Sequence, residues 1–277
     1  MTPPPETAEA RIARESEYWN EQARRTESHA GQAELRVAIT DRHDHAMPWL
    51  PYLGVPVLVE RLLAELQPLA GRRVLDLGCG TGFLSTLLAL HGAEVHAVDV
   101  SDGALRIAAE RARLSGVGDK VHVCCIPGER LDAFEDGFFD AAAGSFVLHH
   151  ADLDDALPEL KRVLKPGAPA AFIETWGRNR PLMLARALVP GRAGVEKSSS
   201  DDEAPLGRAQ ERSIEAHFPG ARFEFPELLC MRMLGVLPFL KGPGAHRSLA
   251  ALDRWLGAIT VLRQYTYFAL VALRRSG

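Results

Sequence analysis

The sequence predicts an α/β fold in which a parallel sheet carries helices on both faces. The mostly apolar run Val74–Leu77 suits a buried parallel strand. The glycines that follow, Gly78, Gly80 and Gly82, let the backbone approach a ligand without side-chain interference. Apolar residues then repeat at helical spacing over Phe83–Leu90. A strand, a glycine turn and a helix in this order predict a nucleotide-binding corner.

A second strand, Glu94–Val98, ends in an acidic residue, Asp99. A carboxylate at this position can accept hydrogen bonds from both hydroxyls of a ribose held over the glycine turn. A dinucleotide site has the spacing G-x-G-x-x-G, and Phe83 stands where its third glycine would be. The chain has G-x-G-x-G instead, so an NAD(P)-dependent dehydrogenase is the less favoured interpretation.

Four further helices follow from local signals. Ala8–Ser28 is rich in alanine, glutamate and arginine and lacks proline, and Pro56 suits the first turn of a helix to Leu66. Ser101 is a good N-cap for a helix through Leu114. Leu153–Leu164 has an apolar stripe but contains Pro158, which favours a start nearer Leu157 because an interior proline costs about 3 kcal/mol.

The later part of the chain has a last helix, Leu206–Phe218, and a polar segment, Gly194–Pro205, that we expect to be mobile. An apolar stretch that includes Leu237, Phe239 and Trp255 precedes the last predicted strand. The remaining strands are predicted at Lys120–Cys125, Phe138–Ser145, Ala168–Glu174, Ala221–Met231 and Arg263–Arg274.

Composition limits the function. The chain has 277 residues, 47% of them hydrophobic, and a net charge of −4, which provides no basic field for nucleic acid. We therefore expect a small-molecule substrate. The N-terminus lacks a secretory pattern, and the apolar stretch Gln264–Leu273 is about half the ~20 residues that a bilayer span requires, so we expect a cytoplasmic protein. The four cysteines have neither zinc spacing nor a disulfide pattern.

The glycine motif resembles a known family. Val74–Gly82 together with Asp99 is similar to motif I and the following acidic position of the class I S-adenosylmethionine-dependent methyltransferases. Further segments resemble the later motifs of the branch that includes quinone-biosynthesis and natural-product enzymes: Phe139-Asp140, Ser145–His150, Glu159 and Arg162–Gly167. The resemblance implies a Rossmann-like, seven-stranded methyltransferase sheet with helices on both faces, an N-terminal helical cap and an apolar insert before the last strand. In such a fold the insert would pack over the sheet edge near the substrate. A dimer interface or a core extension is the alternative for this insert.

The same resemblance implies the organisation of the chain. Residues 1–68 would form the N-terminal helical cap and the substrate-entrance region. Residues 69–175 would form the S-adenosylmethionine-binding core. Residues 176–277 would be the C-terminal part of the same domain, with a substrate-side lid, the insert and the last two strands.

The resemblance also implies the cofactor contacts. Asp76 would help to hold the amino group, Asp99 would bind the ribose hydroxyls and Val100 would pack on adenine. The glycine turn, with its intervening cysteine, would lie against the methionine and ribose: Gly78, Cys79, Gly80 and Gly82.

Further residues are expected near the cofactor. The family's usual acid facing the adenine amino group is absent after the third strand, which leaves Glu129 as the nearest candidate; a solvated loop carboxylate is the alternative. Phe146 follows the fourth strand. Tyr18 and its neighbour Trp19 would cover the methionine end or the substrate, or would only dock the N-terminal helix on the domain.

Two adjacent histidines, His149 and His150, are the candidates for a general base. A neutral imidazole with a pKa near ~6.5 can take a proton from an acceptor group. The pair also occurs in relatives that methylate different atoms, so a structural or cofactor-side role is the alternative.

Substrate contacts are expected from residues outside the motif region. No metal site is predicted, because the segment around His43 and His45 lacks the H-x-x-x-H spacing of a helical site and a second cluster. An arginine-rich segment after residue 177 could bind an anionic substrate group, although such a run is more often a solvated helix face. The substrate candidates are His43, His45, Trp49, Trp176, Arg178 and Arg180.

The function predicted from the sequence is methyl transfer from S-adenosylmethionine to a small, apolar, lipid-like or natural-product acceptor, with O-methylation slightly favoured. The alternative is a non-catalytic cofactor-binding or interaction protein on the same fold. A homodimer is possible.

Overall fold

The computed structural model describes residues 7–29, 31–45, 55–180, 183–184, 204–225, 234, 240 and 242–277. Its centre is a seven-stranded sheet of order β3-β2-β1-β4-β5-β7-β6, in which only β7 runs antiparallel to its neighbours. The strands are β1 Arg73–Leu77, β2 Glu94–Asp99, β3 Val121–Cys125, β4 Ala141–Ser145, β5 Pro169–Thr175, β6 Arg222–Glu224 and β7 Phe268–Arg274. The predicted seven-stranded methyltransferase sheet is confirmed.

Helices cover both faces of the sheet, as predicted. Their bounds are α1 Ala8–His29, α2 Gln32–Leu35, α3 Val55–Glu65, α4 Phe83–Leu90, α5 Asp102–Leu114, α6 Leu153–Val163, α7 Arg208–His217, α8 Pro243–Gly257 and α9 Thr260–Arg263. Among the residues described, no helix is both long enough and apolar enough to cross a membrane.

The alternation of side chains along β1 divides the core into two layers. Val74 packs into the layer that contains α3 and α4, whereas Leu75 and Leu77 pack into the layer that contains α6 and α7. Because successive strand residues face opposite sides, Asp76 shares the face of Val74. The central strand β4 is built from small residues, and a Cβ on Gly144 would lie only 2.8 Å from the Leu77 carbonyl oxygen.

The predicted late start of α6 is wrong. The helix begins at Leu153, and the side chain of its N-cap, Asp152, accepts a hydrogen bond from the Asp154 amide at 3.0 Å. Pro158 lies inside the helix. The apolar burial of Leu153 and Leu157, together with the N-cap, offsets the hydrogen bond that the proline removes.

The last strand is shorter than predicted. It begins at Phe268 instead of Arg263, because Thr260–Arg263 forms the short helix α9. β6 covers only Arg222–Glu224 of the predicted strand Ala221–Met231, whose residues 226–231 lie outside the described residues. β6 pairs antiparallel with β7.

Several predictions fall on residues that are not described. They are the aromatic residue Trp49, most of the segment Gly194–Pro205, and the insert residues Leu237 and Phe239. The division of the chain at residues 68 and 175 also stays a prediction.

Candidate active site

A cavity of about 260 Å³ opens at the carboxyl ends of β1, β2 and β4, where ligands bind in open α/β sheets. We call the turns that follow these strands the floor: residues 78–82, 99–100 and 145–147, of which Gly82 does not line the cavity. We call α1 and the segment 39–45 the cover. The apolar side wall comes from α3 and α4, with Val55, Val59 and Leu84.

The glycine turn of the floor admits no side chain at two positions. Gly78 has φ 61°, and a Cβ there would lie 2.2 Å from Val147 Cγ2. Gly82 has φ 78°, and its Cβ would lie 2.5 Å from Ala108 Cβ. Both values are impossible contacts, so glycine is required where α5 and the turn after β4 pack against the loop.

Asp99 is held by backbone amides of the floor. Its Oδ2 accepts from the Gly80 amide at 2.8 Å, and its Oδ1 accepts from the Ser101 amide at 2.9 Å. Burial raises the pKa of Asp99, and these hydrogen bonds oppose that rise. A carboxylate has about four acceptor positions, so capacity remains for ligand hydroxyls in the cavity.

Asp76 has an unpartnered oxygen at the cavity. The side chain is buried, and its Oδ2 accepts from Ser85 Oγ, while its Oδ1 has no hydrogen-bond partner among the described residues. Burial is the main reason that the pKa of Asp76 rises to about 7; the bond from Ser85 lowers it, and repulsion from Asp99 raises it. Leaving a buried acceptor unpaired costs about 1–3 kcal/mol, which a cationic ligand group would relieve.

The turn after β4 has a strained backbone, which the side chain of Glu174 stabilises. Phe146 has φ 59°, a rare value for a residue with a side chain, and its ring lines the cavity. Glu174, fully buried at the end of β5, accepts from the amides of Val147 at 3.0 Å and Leu148 at 2.8 Å. The carboxylate thereby stabilises the conformation that exposes Phe146.

The two histidines of this turn lie in different environments. His149 is buried, and its Nδ1 lies 2.7 Å from Glu174 Oε2, outside the cavity lining. His150 lines the cavity, and its ring packs edge-on against Trp19 at 5.4 Å. Its Nδ1 lies 3.5 Å from Glu15 Oε2. Of the pair, only His150 lines the cavity.

The helix α1 closes the cavity with Trp19, which was named from the sequence, and with three side chains that were not: Arg11, Ile12 and Glu15. Its cavity residues recur at helical spacing: Arg11, Ile12, Glu15 and Trp19. This periodicity was the signal that could have found them. Tyr18 does not line the cavity and packs edge-on against Trp19 at 5.0 Å.

Ion pairs and hydrogen bonds hold α1 over the floor. Arg11 donates to Glu129 Oε1 at 2.6 Å and to the His150 carbonyl at 2.9 Å. Glu129 also accepts from the Asp152 amide at 3.0 Å, so this cavity residue is anchored rather than solvated. Ser16 Oγ donates to the Val100 carbonyl at 2.8 Å.

A second unpredicted pair fastens the segment 39–45 to the floor. Arg111 is fully buried and donates to both carboxylate oxygens of Asp44, at 3.0 and 2.9 Å. Its Nε donates to the Thr81 carbonyl at 2.8 Å. His43 lines the cavity beside this pair, and burial lowers its pKa. His45 Nε2 instead lies 3.1 Å from Asp41 Oδ2, outside the cavity lining.

The other predicted substrate residues lie away from the cavity. Trp176 is fully buried between Phe223 and Phe225, each 5.3 Å away by ring centroids. Arg178 pairs with Glu211, and Arg180 is exposed. None of the three candidates lines the cavity, nor does any described residue of the insert. The expected position of the insert beside the substrate is therefore not observed.

No group of three or more metal-ligating side chains occurs in the described part of the chain.

Comparison with known proteins places the chain in a family. A family described as "Methyltransferase domain" matches residues 75–172. The chain is 34% identical over 173 residues to the ubiquinone biosynthesis O-methyltransferase of Xanthomonas axonopodis pv. citri (strain 306), covering 61% of this chain and 70% of that protein. The chain belongs to the class I S-adenosylmethionine-dependent methyltransferases. It is also 33% identical over 135 residues to methyltransferase GfsG of Streptomyces halstedii, covering 48% of this chain.

One relative is matched over only part of its length, and a solved structure shares the fold. The chain spans 49% of GfsG, about half of that relative's length. A solved geranyl diphosphate methyltransferase, in complex with GPP and sinefungin, shares the fold at a TM-score of 0.61 and 19% identity, with 96% of this chain and 99% of that one covered. The family's cofactor is S-adenosylmethionine, and the unpartnered Asp76 oxygen beside the glycine turn fits its cationic amino group.

Proposed function

We propose that this chain transfers the methyl group of S-adenosylmethionine to a small, largely apolar acceptor. The observation that carries the proposal is the unpartnered, buried Asp76 oxygen next to Asp99 at a glycine turn. Two acidic side chains here suit an ammonium group and a pair of ribose hydroxyls. When bound, the cofactor supplies an electrophilic methyl carbon.

Different residues of the floor bind different parts of the cofactor. Asp76 binds the amino group and Asp99 the ribose, while Val100 packs on adenine. Glu129, which lines the cavity, would accept a hydrogen bond from the adenine amino group, with Arg11 holding the carboxylate. The rest of the floor contacts the methionine and ribose through four turn residues and one ring: Gly78, Cys79, Gly80, Gly82 and Phe146.

The acceptor occupies the part of the cavity bounded by the cover and the side wall. The side wall is apolar, with Val55 and Phe83, and Trp19 adds an aromatic surface from the cover, which suits a lipid-like or aromatic acceptor. Methyl transfer needs the nucleophile in line with the methyl carbon and sulfur, so positioning supplies much of the catalysis. His150 takes the proton of an acceptor hydroxyl, and His43 contacts the acceptor from the cover.

O-methylation is favoured because a hydroxyl acceptor gives His150 a proton to remove, and because a relative is named an O-methyltransferase. A non-catalytic cofactor-binding protein on the same fold is the second candidate, since cofactor binding alone would explain the floor. A cytoplasmic location and a homodimer stay predictions.

Calorimetric titration with S-adenosylmethionine, S-adenosylhomocysteine and NADH tests the cofactor. We expect binding of the first two and none of the third. Incubation with a panel of phenols, hydroxyquinones and terpenoid alcohols, read by transfer of a labelled methyl group, then tests catalysis. Binding without transfer to any acceptor class would favour the non-catalytic candidate, and binding of NADH alone would contradict both.

A further inference from the structure

The helices α8 and α9 present apolar side chains to solvent. The exposed fractions are 68% for Trp255, 48% for Ile259 and 62% for Val261. Single exposed apolar residues are ordinary, but a contiguous group marks an interaction site. We call this group the insert face; it consists of Ala251, Leu252, Trp255, Ala258, Ile259 and Val261.

The insert face follows helical geometry. Residues 251, 252, 255 and 258 recur at the spacing that places side chains on one side of a helix. On the opposite side of α8, Asp253 is fully buried. The helix thus points Trp255 to solvent, while Asp253 and the partly buried Leu249 and Leu256 lie on its other side.

The exposed charged side chains of α8, beside the insert face, are basic. Arg247 and Arg254 are exposed and lie seven residues apart, so they flank the same edge of the apolar stripe. Neither forms an ion pair with an acidic side chain of the described residues. Asp253, the acidic residue between positions 240 and 265, is buried. The apolar stripe therefore has a positive edge, although the chain has a net charge of −4.

We propose that the insert face docks on the surface of an anionic lipid bilayer. A helix with tryptophan and aliphatic residues on one side and arginines beside them lies in the interface plane of a membrane, where its apolar side enters the acyl boundary and its cations meet lipid phosphates. A symmetric pair of copies would bring these arginines together without an acid between them, which disfavours the dimer as the occupant of this face.

Vesicle sedimentation tests this proposal on the full chain. We expect binding to vesicles of phosphatidylcholine with phosphatidylglycerol, weaker binding to phosphatidylcholine alone, and release by salt. The variant with Trp255→Ser and Ile259→Ser should lose about tenfold or more in partitioning. The variant with Arg247→Gln and Arg254→Gln should lose about fivefold per arginine on the anionic vesicles only.

The matched control is Ile39→Ser, because Ile39 has the same 48% exposure as Ile259 and lies outside the insert face. It should bind vesicles like the unmodified chain. Quenching of tryptophan fluorescence by brominated lipid should be strong in the unmodified chain and weak in Trp255→Phe. Equal quenching in both, no binding to either vesicle, or a dimer that Trp255→Ser dissociates would each overturn the proposal.

Discussion

The floor and the cover of the cavity are held by different kinds of contact. In the floor, Asp99 and Glu174 accept hydrogen bonds from backbone amides close to the turns that they stabilise. In the cover, Arg11 and Asp44 pair with residues far away in the chain, Glu129 and Arg111. The comparison indicates that a short motif can specify the cofactor half, whereas long-range side-chain pairs build the acceptor half.

Asp44 joins the two regions, and its removal should have the largest effect. Asp44→Ala leaves the fully buried Arg111 without its carboxylate and should lower the free energy of unfolding by about 3–5 kcal/mol. Urea denaturation measures the loss. The control Glu110→Ala breaks the exposed pair with Arg113 and should leave the denaturation midpoint unchanged. Equal midpoints for both variants would mean that the cover is not fastened through Asp44.

The His150 variant tests whether this histidine, which lies between the cover and the floor, acts as the general base. His150→Gln should lower kcat about a hundredfold, with the cofactor Kd unchanged. His149→Gln should instead disturb the turn that Glu174 supports, lowering Tm and weakening cofactor binding. If the two variants exchange these phenotypes, the assignment of the histidines is reversed.

The Asp99 variant tests the cofactor contacts of the floor without changing the cover. Asp99→Ala removes the acceptor for the ribose hydroxyls and leaves the Gly80 and Ser101 amides unpaired. Cofactor affinity should fall by about 1–3 kcal/mol in calorimetry. Glu94→Ala, at the other end of the same strand, serves as control and should bind the cofactor normally. Unchanged affinity in Asp99→Ala would remove this residue from the site.

The smallest expected effect is the pH dependence that protonation of Asp76 gives to stability and cofactor affinity. Its pKa is about 7 in the folded chain against 3.8 as the ordinary value, so the folded state binds more protons between these limits. Stability of the cofactor-free chain therefore falls as pH rises through this window. An ammonium group favours the ionised carboxylate, so affinity should rise by at most about tenfold per pH unit up to pH 7.

Calorimetry in two buffers of different ionisation enthalpy measures this linkage. Below pH 7, cofactor binding should release up to one proton in the unmodified chain and fewer in Asp76→Asn. The same proton release in both would show that another group titrates.

Local patterns were enough to predict much of the floor. Ser101 is the N-cap of α5 as expected, because a capping side chain bonds only to its own first turn. The order of the strands was not predicted from the sequence and comes from the structure. The start of α6 was mispredicted because burial of an apolar stripe outweighed the local cost of Pro158.

By itself the sequence determined the α/β class, the glycine turn and the two acidic positions beside it, since each depends on residues near one another in the chain. Only the tertiary structure decided that Trp19 rather than Tyr18 faces the cavity, and that Arg111 pairs with Asp44. Adjacent residues of a helix point in different directions, and a buried charge takes its partner from whichever element packs beside it. That choice depends on the whole fold.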